Sequence, residues 1–270
     1  MNRALRLGSG QARKRFGQHF LEPAWVVKLV DALDAHRDDT FLEIGPGRGA
    51  LTVPLAARVR RLVAIEIDRD LAAALPSRVP DADIVRADFL DVDLVELLRN
   101  ESTPVRVVGN LPYNVASPIL FKLLHDANEG RLLRDATLML QKEVADRLVA
   151  KPGSDGYGAL AIQVALLADA DRVLSLPPGA FRPPPKVRSA VVRLRFRPPA
   201  VDVGDRATFE KLVRGLFLQR RKTLANALKP VADSAARSTA DLIERARVDG
   251  KKRPEALTLD DFARLARAML

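Results

Sequence analysis

The stretch TFLEIGPGRGALT, residues 40–52, joins a short apolar segment to a glycine-rich turn and then to a helical pattern. The apolar segment has the length and composition of a buried strand. Gly45, Gly47 and Gly49 permit a tight turn in which the backbone approaches a ligand closely, and the following helix presents its N-terminus to an anion. With Ala50 in the last position, the turn also fits the dinucleotide fingerprint. Taken alone, the stretch predicts either a cofactor loop or a plain glycine-rich connection.

Strands and helices alternate on both sides of this loop, from about residue 24 to 170. The predicted strands are near-continuous apolar runs, as burial on both faces of a parallel sheet requires. Ser117 and Pro118 fit the N-cap and first position of the helix after the fourth strand. Two later segments, 171–178 and 186–196, are predicted to close the sheet as antiparallel strands. The five parallel strands are expected at 40–45, 61–68, 81–88, 105–110 and 135–142.

A proline-rich break at 197–205, RPPAVDVGD, is followed only by helical patterns. We therefore expect two domains. Residues 1–198 would form an α/β, Rossmann-like domain with helices on both faces of the sheet and a basic N-terminal arm. Residues 199–270 would form a small all-α domain.

The composition restricts the function classes. The chain has 270 residues and a net charge of +10, which indicates a polyanionic partner, nucleic acid before membrane. The sequence contains no cysteine, and its three histidines lie far apart, so we expect no disulfide, zinc–thiolate site or other metal site. The absence of a membrane-length apolar run and of a signal-peptide pattern predicts a cytoplasmic protein without a membrane partner.

Two acids end the strands that follow the glycine loop. Glu66 closes the second strand, where a carboxylate can hold ribose hydroxyls in enzymes of either NAD or S-adenosylmethionine. Asp88 closes the third strand and can accept from the exocyclic amine of an adenine, with Phe89 packed on the ring. Because parallel strands end at one edge, these residues and the glycine loop predict one crevice for an adenosine-type ligand.

Asn110, Leu111, Pro112 and Tyr113 follow the fourth strand at the same edge. The Asn110 amide oxygen and the carbonyl of Leu111 or Pro112 can both accept from one amino group. Pro112 fixes the turn and contributes no competing N–H, while Tyr113 offers a face to a planar ring. The four residues indicate either an ordinary turn or a site for a nucleobase amine, and their register with the crevice favours the amine site.

Seven sequence blocks, in one order, resemble the S-adenosyl-L-methionine-dependent ribosomal RNA adenine-N6 dimethyltransferases, most nearly the members that act on the small subunit. The resemblance covers nearly the whole chain and implies a class I methyltransferase fold with S-adenosyl-L-methionine as cofactor. The blocks are RKRFGQHFL (13–21), EIGPGRGALT (43–52), IEID (65–68), GNLPYNVASPIL (109–120), MLQKEVADRL (139–148), AFRPPPKVRSAVVRL (180–194) and QRRKTLANAL (219–228).

The resemblance also implies roles for individual residues. Asn110 to Tyr113 would bind the target adenine N6, and Phe181 would stack on the other face of that adenine. The family usually has Asn where this chain has His19. The implied cofactor site consists of His19, Leu21, Gly45, Gly47, Glu66, Asp88 and Asn110. The cations expected to contact RNA phosphates are Arg13, Lys14, Arg15, Lys186, Arg220, Arg221 and Lys222.

The implied function is N6,N6-dimethylation of two adjacent adenosines in the 3′-terminal hairpin loop of 16S ribosomal RNA during 30S assembly. Its partner would be the small-subunit RNA or the immature 30S subunit, and we expect a monomer. The alternatives are a 23S adenine dimethyltransferase of the macrolide-resistance type, a non-catalytic ribosome assembly factor, and a dinucleotide-dependent oxidoreductase. The oxidoreductase reading leaves Asn110 to Tyr113 and the basic C-terminal helices without a purpose.

Overall fold

The computed structural model describes residues 19–130 and 132–270. A seven-stranded sheet has the order β4-β3-β2-β5-β6-β9-β7, and β1 and β8 form a separate two-stranded antiparallel ribbon. Strands β4 to β6 in this order are parallel, and β9 runs antiparallel to both of its neighbours. The strands are β1 (Phe20–Leu21), β2 (Thr40–Ile44), β3 (Arg61–Glu66), β4 (Ala82–Arg86), β5 (Val105–Asn110), β6 (Leu133–Gln141), β7 (Ala168–Leu176), β8 (Phe181–Arg182) and β9 (Ser189–Phe196).

Helices cover both faces of this sheet, and neighbouring residues of one strand enter different cores. In β2, Phe41 packs into the core under α1 and α2, whereas Leu42 packs into the core under α5 and α7. Both side chains are fully buried, as expected of a strand with no solvent-facing side. The helices are α1 (Pro23–Leu33), α2 (Thr52–Ala56), α3 (Arg69–Ala74), α4 (Leu94–Leu97), α5 (Ala116–Gly130), α6 (Lys142–Leu148), α7 (Ala159–Leu167), α8 (Arg206–Leu218), α9 (Leu224–Ser234), α10 (Thr239–Ala246) and α11 (Leu259–Ala268).

The α/β class, the five parallel strands and the two antiparallel closing strands are confirmed. The predicted cap of α5 is wrong. The helix begins at Ala116, so Ser117 and Pro118 lie in its first turn and Ser117 does not cap it. A turn closed by the Val115 N–H on the Pro112 carbonyl, at 3.1 Å, leads the chain into the helix earlier than expected. Pro118 is tolerated there because the first-turn N–H groups have no partner within a helix.

The C-terminal helices pack on α7, which lies between them and the sheet. Helix α7 is apolar except for the buried Gln163, because the sheet lies on one side of it and α8 and α11 contact the other. Phe209 and Phe262 belong to the same continuous cluster as Leu42. The four long C-terminal helices confirm an all-α end of the chain, while the division near residue 198 stays a prediction.

A buried ionic network anchors the opposite end of β5 from Asn110. Arg106 is 3% exposed, and its Nε donates to Asp135 at 3.0 Å. Its Nη1 donates to Asp39 at 3.0 Å and its Nη2 to the Leu33 carbonyl at 2.8 Å. The guanidinium therefore ties β5 to β6 and to the end of α1.

Candidate active site

The glycine loop takes backbone conformations that other residues rarely adopt. Gly45 and Gly49 have φ of +69° and +79°. A Cβ on Gly49 would come within 3.1 Å of Leu75, whereas the same atom on Gly45 would have nothing within 4 Å. Gly45 lines the cavity described next, so its missing side chain keeps open the space into which the loop faces.

A cavity of about 190 Å³ lies at the C-terminal edge of the parallel strands, between the glycine loop and Asn110. The structure brings together here all of the predicted cofactor-binding and catalytic residues except Phe181. Those lining the cavity are His19, Leu21, Gly45, Gly47, Glu66, Asp88, Asn110, Leu111, Pro112 and Tyr113.

Glu66 is fixed by the loop that it faces. It is 4% exposed, one carboxylate oxygen accepts from the Gly47 N–H at 2.9 Å, and the other accepts from the Asp68 N–H at 2.8 Å. Burial raises the pKa of Glu66 above its usual value, against the opposing effect of these two bonds. Each oxygen retains a lone pair, so the carboxylate can still accept from ligand hydroxyls.

Glu43 is a cavity residue that the sequence analysis missed. Its side chain is 2% exposed, and its Oε2 has no hydrogen-bond partner among the described residues. Burial raises the pKa of Glu43 to about 7, and repulsion from Glu66 adds to the rise. Neither carboxylate forms an ion pair with a described lysine or arginine, so the cavity suits a ligand with positive charge. An acid inside the apolar run TFLEIG was the available signal.

Asp88 keeps one carboxylate oxygen for a ligand. Its Oδ1 accepts from the Leu90 N–H at 2.9 Å and so caps the short turn that follows β4. Oδ2 accepts no such bond from any residue that the structure describes. Phe89, buried beside it, supplies an apolar wall of the cavity.

The Asn110 amide is held in one orientation. Its Nδ2 donates to the His19 carbonyl at 2.9 Å, which leaves Oδ1 as the atom that can accept from a substrate amine. Beside it, the Tyr113 hydroxyl bonds with the Ser189 hydroxyl at 2.7 Å. Burial raises the pKa of Tyr113 above its usual value, so the phenol stays protonated at neutral pH. These bonds join the end of β5 to β9 and to the segment before β1.

Phe181 is the one predicted catalytic residue that the structure keeps away from the cavity. It lies in β8, paired with Leu21, and is 2% exposed within the core under α1. The ring is packed among apolar side chains, and in this conformation it is not available to stack on a base. The resemblance implied that Phe181 stacks on the adenine, but the sequence could not show that β8 turns its ring inward.

The predicted RNA-contacting cations divide into two groups. Lys186 and the run 220–222 are exposed and form no ion pair with a described residue. The strand arginines behave differently: Arg195 pairs with Asp171, and Arg197 pairs with Asp169 at 3.0 Å. Because both are paired within the sheet, these two arginines are not counted among the cations available to RNA. Arg13, Lys14 and Arg15 lie outside the described residues.

The metal site and the membrane span that the sequence did not predict can be examined only in the residues that the structure describes. Within residues 19–130 and 132–270, no group of three or more His, Asp or Glu side chains could hold a metal ion. In the same ranges, none of the helices combines the length and apolarity needed to cross a membrane.

Comparison with known proteins identifies the family. A family model described as ribosomal RNA adenine dimethylase matches residues 9–269. A curated relative from Xanthomonas oryzae pv. oryzae, named Ribosomal RNA small subunit methyltransferase A, is 45% identical over 96% of both chains. The crystal structure of a dimethyladenosine transferase from Plasmodium falciparum superposes with a TM-score of 0.74 at 25% identity, covering 92% of this chain and 96% of the other. The 23S rRNA methyltransferase ErmE gives 0.64 at 26% identity, covering 93% and 99%. The chain belongs to the ribosomal RNA adenine dimethylase family.

Proposed function

We propose that this enzyme dimethylates N6 of two adjacent adenosines in the 3′-terminal hairpin loop of 16S ribosomal RNA during assembly of the small subunit. The relative named for the small subunit is 45% identical, whereas the 23S methyltransferase is 26% identical. The observation that carries the chemistry is the fixed Asn110 amide, whose acceptor oxygen remains available beside the cavity.

Enzymes of this family take their methyl groups from S-adenosyl-L-methionine. The residues of the cavity fit that molecule. Its sulfonium and ammonium charges would compensate the buried carboxylates of Glu43 and Glu66, which no described cation offsets. Glu66 would accept from the ribose hydroxyls, Asp88 Oδ2 would accept from the adenine amine, and the space at Gly45 would admit the ligand beside the loop.

When bound, the cofactor supplies an electrophilic methyl group, and the protein must make a weak nucleophile face it. The N6 lone pair of adenine is delocalised into the ring, so the amine attacks poorly in its planar form. Asn110 Oδ1 and the carbonyl of Leu111 or Pro112 would accept hydrogen bonds from the two N–H groups of this amine. These two bonds would favour a pyramidal nitrogen. Positioning and fixed dipoles then supply most of the rate, and no strong general base is required because the cationic methylated N6 would release its proton to solvent.

The substrate adenine must leave its stack to reach this edge of the sheet, which costs roughly a few kcal/mol. Contact with Tyr113 would offset part of that cost. Lys186 and the run 220–222, which are exposed and pair with no described acid, would hold the phosphates, and the arm with Arg13, Lys14 and Arg15 would add to them. We infer that residues 1–198 perform the catalysis and that residues 199–270 bind the RNA and the particle.

The substrate and its compartment follow from the same proposal. A monomer would act on the immature 30S subunit in the cytoplasm. The alternatives remain a 23S RNA substrate and a non-catalytic assembly role. The open cavity with Glu66, Asp88 and Asn110 in place speaks against the non-catalytic one.

The test uses labelled S-adenosyl-L-methionine with undermethylated small subunits, with mature small subunits and large subunits as separate controls. We expect label in dimethyladenosine at two adjacent positions of the 16S hairpin loop and none in either control. Label in large-subunit RNA would support the 23S alternative. Tight binding of undermethylated subunits without transfer would refute catalysis and support the assembly role.

A further inference from the structure

His19 lies at a junction of three parts of the site. Its backbone carbonyl accepts from Asn110 Nδ2 at 2.9 Å. Its ring stacks on Tyr113, with centroids 5.8 Å apart and an interplanar angle of 27°. Its Nδ1 contacts the Pro183 carbonyl at 2.8 Å, and because a carbonyl oxygen only accepts, Nδ1 carries the proton in this contact. One residue thus contacts the amide, the phenol and the loop after β8.

We propose that His19 is a positioning residue for the target adenine, acting through Tyr113 and Asn110. The sequence resemblance implied a role toward the cofactor; the contacts of its side chain lie on the substrate side of the cavity. This inference rests on the proposed function, because it concerns the same adenine-binding motif.

The stack settles which face of Tyr113 can meet a base. The His19 ring lies offset against one face of Tyr113, and the Tyr113 hydroxyl is bonded to Ser189, so the phenol is held both at one face and at its tip. An incoming adenine can contact only the opposite face or the edge of the ring. Removing the His19 ring would leave Tyr113 fixed at its hydroxyl alone. The adenine could then bind in a wider range of positions.

The second methyl transfer should depend most on this restraint. An unmodified adenine offers two N–H bonds to the acceptors at Asn110 and the following carbonyls, whereas a monomethylated adenine offers one. Because one hydrogen bond to the amine is then lost, contact with the Tyr113 ring contributes a larger share of the orientation of the adenine. A loosened Tyr113 ring should therefore slow the second transfer more than the first and allow monomethyladenosine to accumulate.

Two substitutions separate the contacts of the His19 side chain. His19→Asn keeps an N–H donor near the Pro183 carbonyl and removes the ring, whereas His19→Phe keeps a ring and removes the donor. His36 provides the matched control, because it is exposed and its side chain contacts only Asp34, at 3.8 Å, among the described residues. His36→Asn and His36→Phe should behave as the unsubstituted enzyme does.

The kinetic experiment measures kcat and KM on undermethylated subunits, the ratio of mono- to dimethyladenosine, and cofactor affinity by calorimetry. We expect His19→Asn to lower kcat about tenfold and to raise the monomethyl share, with cofactor affinity changed by less than about threefold. His19→Phe should restore most of the loss. A cofactor affinity that falls as much as kcat, or a His19→Phe variant no better than His19→Asn, would overturn the proposal.

A second measurement does not depend on activity. The chain has two tyrosines, so ¹³C-labelled tyrosine gives two sets of ring resonances. Tyr157 is the internal reference, since its ring packs against Phe217 and its hydroxyl donates to the Leu257 carbonyl at 2.9 Å. His19→Asn should shift the Tyr113 resonances through loss of the imidazole ring current and leave those of Tyr157 in place. Unchanged Tyr113 resonances would refute the stack even if the enzyme proved to act on another RNA.

Discussion

Replacing Glu43 with Gln should change how the stability of the protein depends on pH. The pKa of Glu43 is raised by burial to about 7, from 4.5 in an unfolded chain. Between these two values the folded protein holds a proton that the unfolded chain has released, so the free energy of unfolding falls as pH rises. Below about pH 4.5 the group has no effect, and above pH 7 the loss is complete.

The size of the effect follows from the shift. A difference of about 2.5 pKa units, at 1.36 kcal/mol per unit, corresponds to roughly 3 kcal/mol of stability lost between pH 4.5 and pH 8. Glu43→Gln has a similar shape and no charge, so it should lack this loss. The two proteins should be nearly equally stable near pH 5, and the variant should exceed the unsubstituted protein by about 2–3 kcal/mol at pH 8.

Urea denaturation from pH 5 to pH 8, without cofactor, measures the difference directly. Glu96→Gln is the matched control, because Glu96 is exposed and pairs only with Arg99 among the described residues. Its stability curve should run parallel to that of the unsubstituted protein. Parallel curves for Glu43→Gln as well, or a variant less stable at pH 8, would refute a buried carboxylate with a raised pKa.

Cofactor binding should act on the same proton. A cationic ligand stabilises the ionised form of Glu43, so binding of S-adenosyl-L-methionine at pH 6–7 should release a proton into the buffer. Calorimetry in two buffers of different ionisation enthalpy measures that release. It should be smaller in Glu43→Gln, which should also bind the cofactor more weakly.

Three other perturbations have expected outcomes. Asn110→Ala should lower kcat by at least about 10²–10³ while cofactor affinity, measured by calorimetry, stays within about tenfold; retained turnover would contradict the role of the amide. Arg106→Ala should cost about 2–3 kcal/mol in urea denaturation, because Asp135 and Asp39 lose their buried partner and keep only the half-exposed Arg134, and a loss below about 1 kcal/mol would contradict the network. Alanine at all three cations of 220–222 should reduce the slope of log Kd for RNA against log salt by about 2, whereas Arg195→Ala should leave that slope unchanged.

The sequence predicted the sheet well, because a strand buried on both faces is a continuous run of apolar residues that can be recognised locally. Each parallel strand is an apolar run, and the polar residue that ends it marks the edge where a ligand binds, as Glu66 and Asn110 do. Glu43 was missed because it lies one residue inside such a run, where an acid breaks the pattern that defines the strand.

Residue contacts between distant segments could not be inferred in the same way. Phe181 is turned inward by pairing of β8 with β1, and Arg195 is neutralised by Asp171 across the β7–β9 pair. Both outcomes depend on strand register over long separations in sequence. Local composition does not encode that register.

Strand β5 carries the buried ionic network at one end and Asn110, the proposed acceptor for the substrate amine, at the other. A slip of one residue would turn Arg106 away from Asp135 and would exchange Asn110 for a neighbour that lacks an amide. Gly109 restricts the same register, because a Cβ at this position would lie 2.9 Å from the Ile44 carbonyl oxygen, so a residue with a side chain does not fit there. A β5 strand in the wrong register would therefore lose the ion pair of Arg106 with Asp135 and would be less stable than the correctly folded protein. The contacts that stabilise the folded chain therefore also fix the position of the Asn110 amide along the strand.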